Sequence, residues 1–265
     1  MGVTEQHSTG CAGPTGCDFS YVYDDQGRLD EVWEGGVLKR EYTYDANGNR
    51  LSLIKHDGGS TTVESATTIG VRDQVEGYGD RTNINYNDDG QTTGWDEPGA
   101  AVALSYDRAD HLLEVSKSGA SGFNVKYRYD AVGRRVERLE DNTTTHRWVW
   151  RGSQLIAEYD ANLVLRKQFV YAEFPHVPSV IIDYSSGSAV KYRVVHDQLG
   201  SVRKVVSMAD GTVAQELKYD EFGRVEHDSD AGFQPFGFAG GLYDNVTELT
   251  RFGVRDYDPY LGRWS

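Results

Sequence analysis

The chain has 265 residues and carries 41 acidic against 27 basic side chains, which gives a formal net charge of −14 at neutral pH. A surface of that sign repels nucleic acids and anionic membranes and therefore argues against functions that depend on binding them. Glycine (30 residues) and tyrosine (17) are abundant and proline (6) is scarce. This composition favours many short strands joined by tight turns over helices or disorder.

Residues 1–20 predict a flexible arm rich in glycine and threonine. Cys11 and Cys17 lie six residues apart in this arm, and both a disulfide and two unpaired thiols remain open. With His7 they supply three metal ligands without a fourth, so neither a metal site nor a cofactor is predicted. The start of the chain lacks the basic and apolar regions of a signal peptide, which indicates an intracellular protein or a piece of a larger exported one.

A short motif recurs from residue 21 onward. Its four best copies share Tyr-Asp, a glycine three residues after the Asp, and a nearby arginine: Tyr23, Asp24, Gly27, Arg28; Tyr44, Asp45, Gly48, Arg50; Tyr129, Asp130, Gly133, Arg134; and Tyr219, Asp220, Gly223, Arg224. Weaker copies begin at Tyr86, Tyr106, Tyr159 and His196. The first two tyrosines are 21 residues apart, so the chain is built from repeated units of about that length.

Each unit predicts a β-hairpin. The residues before the Asp alternate as in a strand, the Asp can accept backbone N–H groups to start a turn, and the glycine can adopt the positive φ that the turn requires. No segment carries a sustained helical apolar pattern. We therefore predict an all-β protein of about 14 to 18 strands, with the hairpins in one antiparallel sheet.

The arginine after each turn glycine permits two interpretations. In the first, it pairs with the turn Asp across the mouth of the hairpin, and such pairs form a ladder between neighbouring units. In the second, it is a solvated charge at the sheet edge. Repetition at one position favours the ladder, although an exposed ion pair contributes only about 0–1 kcal/mol to the free energy of unfolding.

The C-terminal residues carry a more specific motif. They comprise Arg251, Phe252, Gly253, Arg255, Asp256, Tyr257, Asp258, Pro259, Gly262, Arg263 and Trp264. With the Tyr-Asp units and the segment His196–Arg203, this motif resembles the rearrangement hotspot (Rhs) or YD-repeat family and the start of its repeat-associated core domain. The resemblance covers residues from about 20 to 265 and implies a repeat sheet at 21–190 followed by a truncated core segment at 191–265.

The resemblance implies a spiralling, rolled sheet that is part of a cocoon-like shell. The family includes the C component of bacterial Tc toxins and the animal teneurins, and in the toxins the cocoon holds a C-terminal effector. The family's self-cleavage depends on acidic residues beyond the Gly-Arg-Trp motif, so it does not carry over to these residues. The strands predicted here are too few to enclose a folded effector, which favours the C-terminal stretch of a larger shell and leaves open a short relative that assembles or remains an open or filled roll.

The residues show no catalytic motif of their own. Asp256 and Asp258 would share one face of a strand, where two carboxylates can share a proton, but capping of the turn at Pro259 is the favoured interpretation. We expect the C-terminal motif to act as a structural plug through its aromatic side chains, and we predict that the chain is not an enzyme.

We therefore predict a non-catalytic shell segment of a secreted or cell-surface bacterial protein. Its expected partners are the rest of the shell or an encapsulated effector polypeptide, with no nucleic acid and no membrane insertion. The first alternative is a surface that binds a glycan or another protein, which exposed tryptophans would favour. The second alternative is an aspartate-dependent self-processing core.

Overall fold

The computed structural model describes residues 3–8 and 18–265. Cys11 and Cys17, whose pairing the sequence leaves open, lie outside these residues. Within them, no helix is long and apolar enough to span a membrane. The only helical elements in this part of the chain are two short 3₁₀ turns, Val71–Asp73 and Phe238–Gly240, so the predicted all-β class is confirmed.

The described residues form twenty-five strands, more than the 14 to 18 predicted. In chain order they are β1 Val3–Ser8, β2 Asp18–Tyr23, β3 Leu29–Glu34, β4 Val37–Tyr44, β5 Arg50–Asp57, β6 Ser60–Ile69, β7 Val75–Tyr78, β8 Thr82–Tyr86, β9 Thr92–Glu97, β10 Ala100–Tyr106, β11 Leu112–Lys117, β12 Phe123–Tyr129, β13 Arg135–Glu140, β14 Thr143–Arg151, β15 Gln154–Tyr159, β16 Leu165–Val170, β17 Val180–Asp183, β18 Val190–His196, β19 Val202–Ser207, β20 Val213–Tyr219, β21 Val225–Asp228, β22 Leu242–Tyr243, β23 Thr250–Phe252, β24 Arg255–Asp258 and β25 Arg263–Trp264.

The strands form three sheets, each in chain order. Strands β1–β7 make a seven-stranded sheet, β8–β21 a fourteen-stranded sheet and β22–β25 a four-stranded sheet. Strand β1 lies within the segment predicted to be an arm and pairs with β2 in antiparallel register. Strand β18 continues the long sheet past residue 190, and the change of sheet follows Asp228.

The chain divides into two compact units, residues 1–90 with 94–98 and residues 91–93 with 99–265. In the first unit the inward side chains of successive strands form the core, as with Val32, Tyr42 and Leu53, each at most 1% exposed. In the second unit, Leu155, Ile181 and Val205 are among the sheet residues that pack against Phe236 and Leu242. One face of the long sheet is therefore covered by residues that follow it in the chain.

A β-bulge recurs at the tyrosine of the repeat. The register between paired strands shifts immediately before Tyr23, Tyr44, Tyr106, Tyr129, Tyr159, His196 and Tyr219. A bulge adds one residue to one strand, which bends that strand and increases its local twist. The repeat therefore specifies both a hairpin and a bend at its closing end.

Candidate functional site

The repeat turn is closed by its aspartate. In the first copy, Asp24 Oδ1 accepts the backbone N–H groups of Gln26 and Arg28, each at 2.9 Å. The other carboxylate oxygen, Oδ2, accepts Arg28 Nε at 2.7 Å. These bonds lower the pKa of Asp24, the backbone N–H of Arg28 contributing most. Asp130 and Arg134 repeat the arrangement, with Arg134 Nε 2.7 Å from Asp130 Oδ2.

The arginine of the motif also reaches the next hairpin. Arg28 donates to the backbone oxygen of Asp45 at 2.7 Å, and Arg134 donates to that of Gly152 at 3.0 Å. The Arg28 guanidinium lies 4.7 Å from the centre of the Tyr44 ring. The ladder interpretation therefore holds at these two positions, but the link between units runs to a backbone oxygen and an aromatic ring.

The arginines of the other two copies contact aromatic rings. At the second copy Asn49 takes the place next to Asp45, with its Nδ2 2.7 Å from Asp45 Oδ2. Arg50 is buried instead, with its guanidinium 4.9 Å from the centre of the Tyr78 ring. Arg224 donates its backbone N–H to Asp220 and places its guanidinium 4.4 Å from the centre of the Tyr260 ring. The extra residue between Gly48 and Arg50 explains why Asn49, and not Arg50, lies beside Asp45.

Three of the four weaker copies make the same turn. Asp107, Asp160 and Asp197 each accept the backbone N–H groups two and four residues later. At two of these turns the arginine comes from a different position: Arg166 reaches Asp160, and Arg203 reaches Asp197. The turn therefore depends on the aspartate and tolerates a displaced arginine.

Tyrosine hydroxyls add a link between units that the sequence did not reveal. Tyr129 Oη donates to the backbone oxygen of Leu112 at 2.6 Å, and Tyr106 Oη donates to that of Thr92 at 2.9 Å. Tyr86 and Tyr171 do the same with Val75 and Leu155. Because each acceptor lies 11 to 17 residues earlier, the hydroxyl of one unit binds the backbone of a preceding strand.

The C-terminal motif docks on the long sheet through buried charges. Asp256, on β24, accepts Arg135 of β13 at 2.9 Å and Arg251 of β23 at 2.7 Å. All three side chains are at most 3% exposed. Arg251 also donates to the backbone oxygen of Gly133, which belongs to a repeat turn, at 3.1 Å. The motif is thus bound directly to the repeat at Tyr129–Arg135.

The aromatic rings of strand β12 flank this ion-pair cluster. The Arg135 guanidinium lies 3.4 Å from the centre of the Tyr127 ring, and the Arg251 guanidinium lies 4.6 Å from that of Tyr129. Burial lowers the pKa of Arg251, and the charge of Asp256 opposes this effect only in part. The cluster therefore places two guanidinium groups and one carboxylate out of contact with water.

A second buried ion pair lies beside the first. Arg138 donates from Nε to Asp244 Oδ2 at 2.7 Å and from Nη2 to Oδ1 at 3.2 Å. Tyr127 Oη donates to the same Asp244 Oδ2 at 2.7 Å. Burial opposes ionisation of Asp244, but the hydrogen bond and charge of Arg138 outweigh it and lower its pKa. Burial raises the pKa of Tyr127 well above its usual value, so Tyr127 remains a donor.

The predicted plug is present, but its buried face is ionic and not aromatic. Asp256 and Asp258 are 3% and 4% exposed, whereas Trp264 is 45% exposed. Phe252, Tyr257 and Trp264 contact one another edge to face, with ring centres 5.5 to 6.2 Å apart. Asp256 and Tyr257, successive residues on β24, both reach the long sheet: Asp256 binds Arg135, and the Tyr257 hydroxyl donates to the backbone oxygen of Phe222 at 2.8 Å.

The predicted role of the two carboxylates is confirmed for one of them. Asp258 Oδ1 accepts the backbone N–H of Tyr260 at 2.9 Å, which is the expected turn cap. Asp256 instead uses both side-chain oxygens to bind arginines. Among the described residues no group of three or more His, Cys, Asp or Glu side chains could hold a metal ion.

A family model named teneurin YD-shell matches residues 3–265. The chain belongs to the teneurin YD-shell family. The match includes every repeat copy described above and the docked C-terminal motif. The family name describes a shell, which is a structural role, and the antiparallel repeat sheets agree with it.

Individual relatives agree with the teneurin YD-shell assignment. Teneurin-3 of Danio rerio and teneurin-1 of Homo sapiens are each 30% identical over 93% of this chain, which corresponds to 9% of their own length. The tRNA3(Ser)-specific nuclease WapA of Bacillus spizizenii is 26% identical over 88% of this chain and 10% of its own length. The chain thus spans about a tenth of the curated relatives that it matches.

A solved structure shares the YD-shell fold. The Tc holotoxin pore of Photorhabdus luminescens superposes with a TM-score of 0.71 over 93% of this chain and 14% of that chain, at 16% identity. The predicted resemblance to YD-repeat proteins is therefore confirmed at the levels of family and fold.

Proposed function

We propose that the chain is a wall segment of a YD-repeat shell that encloses a C-terminal effector polypeptide. The observation that carries the proposal is the docking of the C-terminal motif on the long sheet. Asp244 and Asp256 bind Arg138 and Arg135, which are neighbours on strand β13. Buried ion pairs hold this C-terminal part of the chain on one face of the long sheet, as expected for a segment that covers part of a shell wall.

The wall needs further protein to form an enclosure. Because the chain corresponds to about a tenth of its relatives, we propose that the rest of a longer secreted or cell-surface protein supplies the remaining strands. An unpaired strand edge is a natural place for such an addition, since it presents free backbone donors and acceptors. The partners in this proposal are therefore other shell strands and the enclosed polypeptide.

The two alternatives have less support from the geometry. Of the five tryptophans, all in the described part of the chain, only Trp264 is largely exposed, so a platform of stacked aromatics for a glycan has one candidate. Self-processing through Asp256 would require a carboxylate that can exchange protons, yet both its oxygens bind buried arginines. We therefore propose a non-catalytic role.

Protease protection tests the proposal. In the full-length protein that carries this sequence, a site for a sequence-specific protease is placed in the polypeptide after the shell region. We expect cleavage at least about tenfold slower in the native protein than after denaturation, because proteolysis follows the population of open states. The same site inserted at the exposed loop 118–122 is the matched control and should be cut rapidly in the native protein. Equal cleavage at the two positions would contradict enclosure.

A further inference from the structure

A small cavity separates the long sheet from the segment that covers it. Its volume is about 50 Å³, enough for a few water molecules. Strands β13–β15 contribute Arg138, His146, Trp148 and Glu158 to the lining, and the covering side contributes residues between Gly232 and Asn245. We name residues 232–249 the cover segment.

His146 occupies the sheet side of this cavity. It is the cross-strand neighbour of Arg138, the residue that binds Asp244 of the cover segment. Its ring stacks on Trp148 with centres 5.8 Å apart, and its Nδ1 lies 3.0 Å from Thr145 Oγ1. A change of charge on His146 would therefore arise directly beside the ion pair that fixes the cover segment.

Charged and titratable groups face His146 from every element around the cavity. The cations are Arg135 and Arg138 of β13 and Lys167 of β16; the other groups are Glu158 of β15, Asp228 of β21, and Tyr243 and Asp244 of the cover segment. The carboxylates are already engaged: Glu158 by Trp148 and Lys167, Asp228 by Gln215, and Asp244 by Arg138 and Tyr127. A proton on His146 would find no free carboxylate among these groups.

Burial also disfavours the protonated form of His146. Burial lowers the pKa of His146, with Arg138 and Lys167 adding to this effect and Glu158 and Asp244 opposing it. A histidine with a lowered folded-state pKa binds fewer protons when folded than when exposed. Its contribution to stability is therefore complete above its usual pKa of about 6.5 and is lost as the pH falls below that value.

We infer that His146 is an acid-sensitive latch, whose protonation releases the cover segment from strands β13–β15 and opens the cavity. The release is local because the cover segment is largely irregular backbone, whereas the strands are held by continuous hydrogen-bond ladders. Asp244 titrates below this range because its pKa is lowered, so it does not provide the response between pH 7.5 and 5.

Amide hydrogen exchange at pH 7.5 and 5.0, corrected for intrinsic exchange rates, tests the latch. In the wild type, peptides from the cover segment should exchange at least about threefold faster at pH 5.0, while peptides from β18–β20 should be unchanged. The variant His146→Phe keeps a ring against Trp148 but cannot ionise, so its cover segment should lose the response. The matched control His227→Gln changes an exposed histidine and should keep it.

An NMR titration of the wild-type histidine rings gives a readout that does not depend on a variant folding. His146 should titrate below the usual histidine pKa of about 6.5. Titration of His146 at or above that value would overturn the inference. An acid response of the cover segment that persists in His146→Phe would also overturn it, as would the absence of any response in the wild type.

Discussion

Arg138 binds Asp244 from 106 residues away in the chain, through two hydrogen bonds of 2.7 and 3.2 Å in a site where both side chains are at most 7% exposed. This pair connects the repeat sheet to the segment that covers it. A buried ion pair adds little to stability compared with well-packed apolar residues, but removal of one partner leaves the other charge buried and unpaired. The contact is therefore a sensitive position for mutation.

We predict that Arg138→Ala lowers the free energy of unfolding by about 3–5 kcal/mol, because Asp244 would remain buried without its cation. The measurement is urea denaturation followed by tryptophan fluorescence. Arg128→Ala is the matched control, since Arg128 also binds a carboxylate, that of Glu137, but its side chain is 66% exposed. The control should cost at most about 1 kcal/mol. Equal losses in the two variants would show that burial does not determine the effect.

The loss of folding stability at acid pH should depend on Asp244. Its lowered pKa means that its contribution is present above the usual value of 3.8 and is lost as the pH falls through the lowered value. We expect the urea midpoint of the wild type to fall between pH 4 and pH 2, and Asp244→Asn to flatten this part of the profile. Asp141→Asn, at an exposed turn, should retain the wild-type slope. If the urea midpoint of Asp244→Asn fell with pH in parallel with that of the wild type, the assignment of this acid response to Asp244 would be contradicted.

Two turn glycines should differ in their tolerance of a side chain. Gly27 and Gly223 have φ values of 77° and 87°, as predicted for turn positions. A Cβ at Gly27 would meet no atom within 4 Å, so Gly27→Ala should cost only the backbone strain of about 1–2 kcal/mol. A Cβ at Gly223 would overlap the Phe238 ring, so Gly223→Ala should cost about 1–3 kcal/mol more. Thermal denaturation of the two variants measures the difference, and similar melting temperatures would refute it.

Asp256→Asn and Asp258→Asn should have unequal effects. An amide at position 256 removes the anion shared by Arg135 and Arg251, with an expected cost of about 3–5 kcal/mol. An amide at position 258 keeps an oxygen for the Tyr260 N–H and should cost about 1 kcal/mol or less. Urea denaturation measures both, and mass spectrometry after long incubation should show full-length chains in the wild type and both variants. Spontaneous shortening of the wild type alone would favour a self-processing core.

The local features of this fold could be read from the sequence and the long-range ones could not. The turn at Asp24 and Gly27 is specified by residues within five positions of one another, so pattern alone located it. The contacts of Asp256 with Arg135 and of Asp244 with Arg138 join residues more than 100 positions apart. With 41 acidic and 27 basic side chains, nothing local distinguishes these partners from other possible pairs.

The errors in the prediction have related causes. Strands such as Ser60–Ile69 lack the tyrosine–aspartate signature that marks the repeat, although they pair regularly with their neighbours. The aromatic residues of the C-terminal motif suggested an apolar plug, since hydropathy ranks Tyr257 above Asp256 as a core residue. The sheet face supplied one buried arginine, Arg135, and the motif supplied another, Arg251, and these two cations hold Asp256 in a buried position.

The bulge that recurs at seven repeat positions has a consequence for how such chains can change in length. Because a unit of this kind carries its own bend, insertion of a whole unit extends a sheet and leaves the facing of all later side chains unchanged. Insertion of a single residue within a strand would turn the tyrosine to the opposite face and separate its hydroxyl from the earlier backbone oxygen that it binds. Duplication of complete hairpins is therefore the mutational step that this architecture accommodates with the least rearrangement.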